Sequence, residues 1–303
     1  MNAPQTFPIA YSLDDRYRAE RGLVYLSGTQ ALVRLMLDQQ RQDARAGLNT
    51  AGFVSGYPGS PVGQVDDEMI AARSFLDRHQ VVFQPGQNEE LAATAVFGTQ
   101  ALHEVPGARY DGVFAMWYGK APGVDRTGDA FHHHNFRGVP RHGGVLAVAG
   151  DDPHARSTIF PSDSNAAFYK FFMPLLAPAN VQEVIDLGLH GYALSRASGL
   201  WVGMKFVTDV ADSAGVAEVG RPHPTGAARG VIRRPDARAG DAHERCRLGD
   251  ARNRATHRRR ATRDRASLRR PQRAEPNRHQ PGRCTDRPGH RRQDLGRSEP
   301  GPA

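Results

Sequence analysis

The chain has 303 residues, of which 39% are hydrophobic and 8% aromatic, enough to bury a substantial core; its formal net charge is +8. That charge is uneven: residues 221–303 hold 23 Arg, no Lys and 9 Asp plus Glu, while residues 1–220 hold 17 basic and 23 acidic side chains. Both cysteines, Cys246 and Cys284, lie in the basic part, which excludes a disulfide framework and a CxxC-type metal or iron–sulfur signature. No apolar run reaches the roughly 18–20 residues of a membrane span, and the N-terminus lacks a basic-then-apolar leader, so a soluble cytoplasmic protein is the expectation.

Along residues 1–220, apolar runs alternate with amphipathic stretches. Thr29 to Arg45 places Ala31, Leu32, Leu35 and Leu37 near helical spacing, which predicts a first helix. Ala51 to Val54 reads as a strand ending at Ser55-Gly56, Val65 to His79 as a helix, and Val81 to Phe83 as a strand ending at Pro85-Gly86. Leu91 to His103 is Ala-rich and helical. Gly112 to Tyr118 and Gly144 to Ala149 are apolar on both faces, as in buried parallel strands, and Leu200 to Thr208 reads as a last buried strand, with helices expected over Ser164 to Met173 and Val181 to Arg196. This alternation predicts an α/β fold, a mostly parallel sheet with helices on both faces, whose ligands sit beyond the carboxyl ends of the strands.

Three loops then carry the chemistry. In Ser55-Gly56-Tyr57-Pro58-Gly59-Ser60-Pro61, Pro58-Gly59 suits the centre of a type II turn; Ser60 would cap the next helix with Pro61 at its first position. The loop is then either a well-formed turn and cap or an anion site at a helix start. In Gly86-Gln87-Asn88-Glu89-Glu90, Asn88 is an N-cap, and the glutamates either favour the helix dipole or aim one carboxylate into a cleft at the sheet edge. The third stretch, Trp117 to Arg126 running into His132-His133-His134-Asn135, reads as a Gly- and Pro-containing loop suited to a carboxylic substrate with an apolar body. Three consecutive histidines point in different directions on any regular backbone, which argues against zinc. Asp151 and Asp152 close a buried strand and would either coordinate Mg²⁺ or cap the following turn.

The segments SGYPGSPVGQVDDEM, QNEELAATAVFGTQ, MWYGKAPGVDRTGDAFHHHN and AGDDPHARST, in that order, resemble the thiamine-dependent 2-oxoacid:ferredoxin oxidoreductase family, more particularly the long single-chain indolepyruvate form. The match covers roughly residues 15 to 215. It implies a domain, residues 1–220, that holds the aminopyrimidine ring of thiamine diphosphate, with Tyr57, Pro58, Gly59, Asn88 and Glu89 around the cofactor. In that family a carboxylate hydrogen-bonds a ring nitrogen and so helps the thiazolium carbon lose its proton, a task that needs a water-poor pocket. The matching position is Glu89. Glu90, one residue on, would point about 100° away on a helix. Ser60 matches a Ser/Thr near the substrate carboxylate. The arginine that related pyruvate enzymes place after a following strand is missing at Ala149-Gly150-Asp151, leaving Arg126 or Arg156 as substitutes.

The resemblance further implies a 2-oxoacid substrate, coenzyme A and ferredoxin as partners, and a homodimer for the full enzyme. It also implies Mg²⁺ and iron–sulfur clusters held by parts that this sequence does not match, so the isolated chain is expected to be inactive. Residues 221–303 lack apolar periodicity and are expected to be disordered. Two origins are in view: an Arg-rich arm for nucleic acid on a non-enzymatic α/β protein, or GC-rich DNA read out of frame after a shift near residues 215–225. Gly289 to Ala303, back-translated with permitted codons and read one base later, gives GIAGKTWGDLSQAL, similar to a downstream family segment, so the frameshift is the favoured expectation and nucleic-acid binding is not expected.

Overall fold

A computed structural model describes residues 11–221. The expected basic tail lies outside these residues. A short helix, α1 (Asp15–Arg18), leads into strand β1 (Gly22–Ser27) and helix α2 (Gly28–Arg45), which opens on a capping box between Ser27 and Gln30. There follow β2 (Thr50–Gly56), α3 (Val65–Ala71), α4 (Arg73–Arg78), β3 (Val81–Phe83), α5 (Glu89–Gln100) and β4 (Gly112–Lys120). Next come α6 (Ala121–Arg126), α7 (Gly128–Arg137), β5 (Val145–Asp151), α8 (Asn165–Lys170) and β6 (Leu175–Leu176). The last elements are α9 (Val181–Ser198), β7 (Val202–Val207), α10 (Thr208–Ala211) and β8 (Ala214–Val219).

Six strands form one parallel sheet in the order β3-β2-β4-β5-β7-β6. The strand alternation sorts the core into two layers. Phe114, Met116, Tyr118, Leu146 and Val148 face a cluster built with α2, α3, α4 and α9; Ala115, Trp117, Val145 and Ala147 face the other, built with α5, α6, α7 and α8. Both faces of β4 and β5 are therefore covered, as the doubly apolar sequence predicts. The α/β parallel-sheet expectation is borne out.

Several local expectations change. Val65 to His79 is two helices broken at Ala72. The stretch after Lys120 is not a loop: Pro122 sits in the first turn of α6, and Ala130, Phe131, His134 and Asn135 bury the inner face of α7 at helical spacing. A two-stranded antiparallel ribbon of β1 and β8 was not expected; it pairs Gly22 with Val219 through Ser27 with Ala214, segments almost two hundred residues apart. Among the described residues, no helix is long and apolar enough to cross a membrane.

Candidate functional site

The carboxyl ends of the three neighbouring strands β3, β2 and β4 bring the predicted loops together. The Gly86 N–H donates to the Gly56 carbonyl at 2.8 Å, and the Tyr57 N–H donates to the Tyr118 carbonyl at 3.0 Å, which fixes the loops after β3 and β2 against each other and against β4. A Cβ on Gly56 would lie 2.2 Å from the Tyr118 carbonyl oxygen, so only glycine permits that approach. On the far side of the same loop, Pro61 and Val62 lie over Gly150 at the end of β5.

The loop geometry corrects the sequence reading. Gly59 has no positive φ, so Pro58-Gly59 is not the type II turn expected. Nor does Ser60 cap a helix: α3 starts at Val65, after Gln64, and Ser60 is exposed in the turn before the buried Pro61. Glycine at 59 instead leaves room for a neighbouring side chain. The Lys120 stem crosses it, and a Cβ there would sit 2.9 Å from Lys120 Cδ. Tyr57 and Pro58 are exposed beside it.

Asn88 behaves as predicted, its Oδ1 accepting the Leu91 N–H at 2.8 Å to start α5. Glu89 is 6% exposed, whereas Glu90 is exposed to solvent. The Glu89 carboxylate accepts no hydrogen bond and forms no ion pair from the described residues. It lies between two glycines: a Cβ on Gly123 would be 2.7 Å from Oε1, and one on Gly119 would be 3.3 Å from Cγ. Its main-chain carbonyl accepts the indole N–H of the fully buried Trp117 at 2.8 Å. The site is thus a buried acid with free lone pairs, rimmed by the half-buried Lys120, which has no ion-pair partner among the described residues. Lys120, Gly119, Gly123 and Trp117 were legible only as members of a cationic, aromatic stretch. The GKAPG run was the available signal, since glycines flanking the end of a buried strand mark close approach.

Beneath the loop, the Tyr118 hydroxyl donates to Asp66 at 2.5 Å. Burial, together with the neighbouring Asp66, holds the phenol protonated well above its usual range. Burial also raises the Asp66 carboxyl, an effect opposed by the Tyr118 hydrogen bond.

The other candidates separate from this centre or find other work. Arg126 is exposed at the last position of α6, beyond Gly123. The guanidinium of Arg156 is engaged by Asp209. Asp151 accepts from the Ser164 N–H and hydroxyl at 2.9 and 2.6 Å; burial raises its pKa against those bonds and the nearby Lys205. Burial also works to raise the Asp152 pKa, but N–H donors from Ser157 and Arg156 and hydroxyls of Thr158 and Ser157 outweigh it and hold the carboxyl well below its usual range. Of the two readings of this acidic pair, the turn-capping one describes what its oxygens do. The three histidines diverge on α7: His134 stacks on Phe97, His133 faces Asp129 and His132 meets the edge of Phe171. No group of three or more metal-ligating side chains occurs among the described residues.

With this geometry in hand, known proteins can be set beside the chain. Indolepyruvate oxidoreductase subunit IorA of Methanothermobacter thermautotrophicus is 27% identical over 209 residues, covering 69% of this chain and 30% of that protein. The subunit of the same name from Pyrococcus abyssi is 28% identical over 185 residues, covering 61% and 25%, and that of Archaeoglobus fulgidus is 26% identical over 204 residues, covering 67% and 29%. The chain is similar to the indolepyruvate oxidoreductase subunits. The resemblance drawn from the four motifs is thereby borne out, and it is to an enzyme family. The chain spans about 30% of the length of the first of these relatives. A solved structure, 2-oxoglutarate:ferredoxin oxidoreductase from Magnetococcus marinus, is 15% identical with a TM-score of 0.44, covering 67% of this chain and 32% of that one, agreement too low to bear on the fold. No family model matches the chain.

Proposed function

We propose that residues 11–221 form the part of a thiamine diphosphate-dependent oxidoreductase that receives the cofactor's aminopyrimidine ring, with Glu89 as its acid. The observation that carries this is Glu89, a 6% exposed residue packed directly on Gly119 and Gly123, whose carboxylate has no hydrogen-bond or ion-pair partner among the described residues. Its oxygens are not among the fully buried polar atoms, so they stay open to an incoming hydrogen-bond partner. A ring nitrogen of a planar heterocycle suits such an acid.

When bound, the cofactor supplies the carbon nucleophile and the electron sink for decarboxylating a 2-oxoacid. The chain's residues would hold and orient it. Asn88 fixes the first turn of α5, Glu89 would hold or release a proton at the ring nitrogen, and Tyr57, Pro58 and Gly59, in the loop that Gly56 and Tyr118 anchor, would contribute to the cofactor pocket. Lys120, with Ser60 and Arg126 farther out, provides positive and hydroxyl groups for the substrate carboxylate. By similarity to the indolepyruvate oxidoreductase subunits, the substrate is indolepyruvate or a related aryl 2-oxoacid; the motif resemblance to the ferredoxin oxidoreductases adds coenzyme A and ferredoxin as partners of the complete enzyme. Mg²⁺ and iron–sulfur clusters belong to regions with no counterpart in the described residues.

Thermal stability of the purified chain with and without thiamine diphosphate and Mg²⁺ tests the reading. The cofactor should raise the melting temperature of the wild type and leave Glu89→Gln unmoved; an equal rise in both removes Glu89 from the site. The chain alone should not reduce viologen dyes with indolepyruvate, and reduction would show a complete enzyme.

We further infer that the residues after 221 are read from a shifted frame. The abrupt change to 23 Arg and no Lys supports it, as does a similarity of 209 residues, close to the length of the described part. Resequencing the gene across codons 215–225 tests it: a base gained or lost relative to an open second frame is expected. An intact frame, with salt-dependent nucleic-acid binding lost on deleting 222–303, would instead establish a basic arm.

A further inference from the structure

The layer facing α5 to α8 contains two tryptophans, both fully buried and both in contact with Phe131, Trp117 at 4.8 Å between ring centroids and Trp201 at 6.0 Å. They differ in one respect. The Trp117 indole N–H donates to the Glu89 main-chain oxygen at 2.8 Å, while the Trp201 indole N–H is buried with no partner. The Trp117 ring also turns up along its own strand, so that a Cβ on Gly119 would meet it at 2.7 Å. Trp117 therefore spans the distance between β4 and the first residue of α5, and the glycine that lets it do so is one of the two that flank the Glu89 carboxylate.

We propose that Trp117 is the positioning residue of Glu89, fixing the first turn of α5 on β4 so that the acid is held against Gly119 and Gly123. This role rests on the proposed aminopyrimidine site only for its purpose; the positioning itself is a statement about the chain. Asn88 sets where α5 begins, and Ala92, Ala93 and Val96 pack its inner face on the sheet. The indole hydrogen bond adds a directional hold at the residue whose aim matters, because it holds the main chain of Glu89 itself. Phe131, edge-on to Trp117, keeps the indole from swinging away.

Trp201 supplies the control, since Trp117→Phe and Trp201→Phe each remove the same atoms from one apolar cluster and only the first removes a hydrogen bond. Two readouts are taken on the full chain. Carbodiimide labelling of Glu89, followed by mass spectrometry with the exposed Glu90 as internal reference, reports the acid's accessibility; thiamine, titrated as the probe, reports the proposed cofactor site. Both variants are expected to lower the melting temperature. Trp117→Phe should raise Glu89 labelling several-fold and weaken thiamine about three- to tenfold, the range one neutral hydrogen bond supplies, while Trp201→Phe leaves both near wild type. Unchanged labelling in a folded Trp117→Phe, or equal increases in both variants, overturns the positioning role. A wild type that binds no thiamine while its labelling contrast persists overturns the aminopyrimidine site and leaves the positioning role standing.

Discussion

Gly123 and Glu89 are in such close contact that a methyl group on the glycine would sit 2.5 Å from the acid's Cγ and 2.7 Å from Oε1. Gly123→Ala therefore sets two effects against each other. Alanine favours the α6 helix by about 1 kcal/mol, but overpacking a buried contact costs about 1–3 kcal/mol. The net expectation is destabilisation of about 1 kcal/mol in urea unfolding, together with loss of the response to thiamine diphosphate. An unchanged response would show that the carboxylate does not use this site.

Gly98, in the same layer, should behave oppositely. It lies inside α5, and a Cβ there would meet nothing within 4 Å. Gly98→Ala is expected to stabilise by about 0.5–1 kcal/mol, mainly by restricting the unfolded chain. A fall in the unfolding midpoint would mean that this face of α5 is covered by something else.

Asp43 joins α2 to the rest of the molecule. Its carboxylate receives two hydrogen bonds from Arg196 of α9, at 2.6 and 2.7 Å, one from Thr50 of β2 and one from Gln39. Asp43→Ala leaves the Arg196 guanidinium partly buried without its acid, and a loss of about 3–5 kcal/mol is expected. Arg196→Met, which retains the stem, should cost less. Chemical denaturation of the two variants compares them directly.

Stability should fall as the pH drops from about 6.5 to about 4, through His134. Burial, reinforced by the neighbouring His133 and opposed by Asp129, lowers its pKa from 6.5 to about 4. The unfolded chain therefore binds a proton in this window that the folded chain refuses, so the stabilisation is complete above 6.5 and lost towards 4. The slope amounts to a few kcal/mol at most. His134→Gln, which does not titrate, should flatten it. Asp152 acts at lower pH: its depressed pKa gives stability that is present above the ordinary carboxylate range and disappears below it.

Much of this molecule is determined locally. Runs such as GVFAMWY and GVLAVA are apolar at every position, which suits strands covered on both faces, and this points to a parallel α/β sheet without reference to any distant residue. The Asn88 cap and the helical separation of Glu89 from Glu90 are equally local, set by backbone geometry over four residues. The order of the four motifs carried the resemblance to the oxidoreductases. Other features depend on contacts between segments far apart in the chain. Gly59 reads as a turn residue, yet its close neighbour is the Lys120 stem crossing it; Asp151 and Asp152 read as ligands or caps until Ser164 and the residues from Arg156 on fold back onto them. The β1–β8 ribbon and the Trp117 hold on Glu89 likewise require the whole sheet to form first. Spacing along a chain encodes direction on a helix or strand, whereas the approach of two loops is decided by the sheet between them.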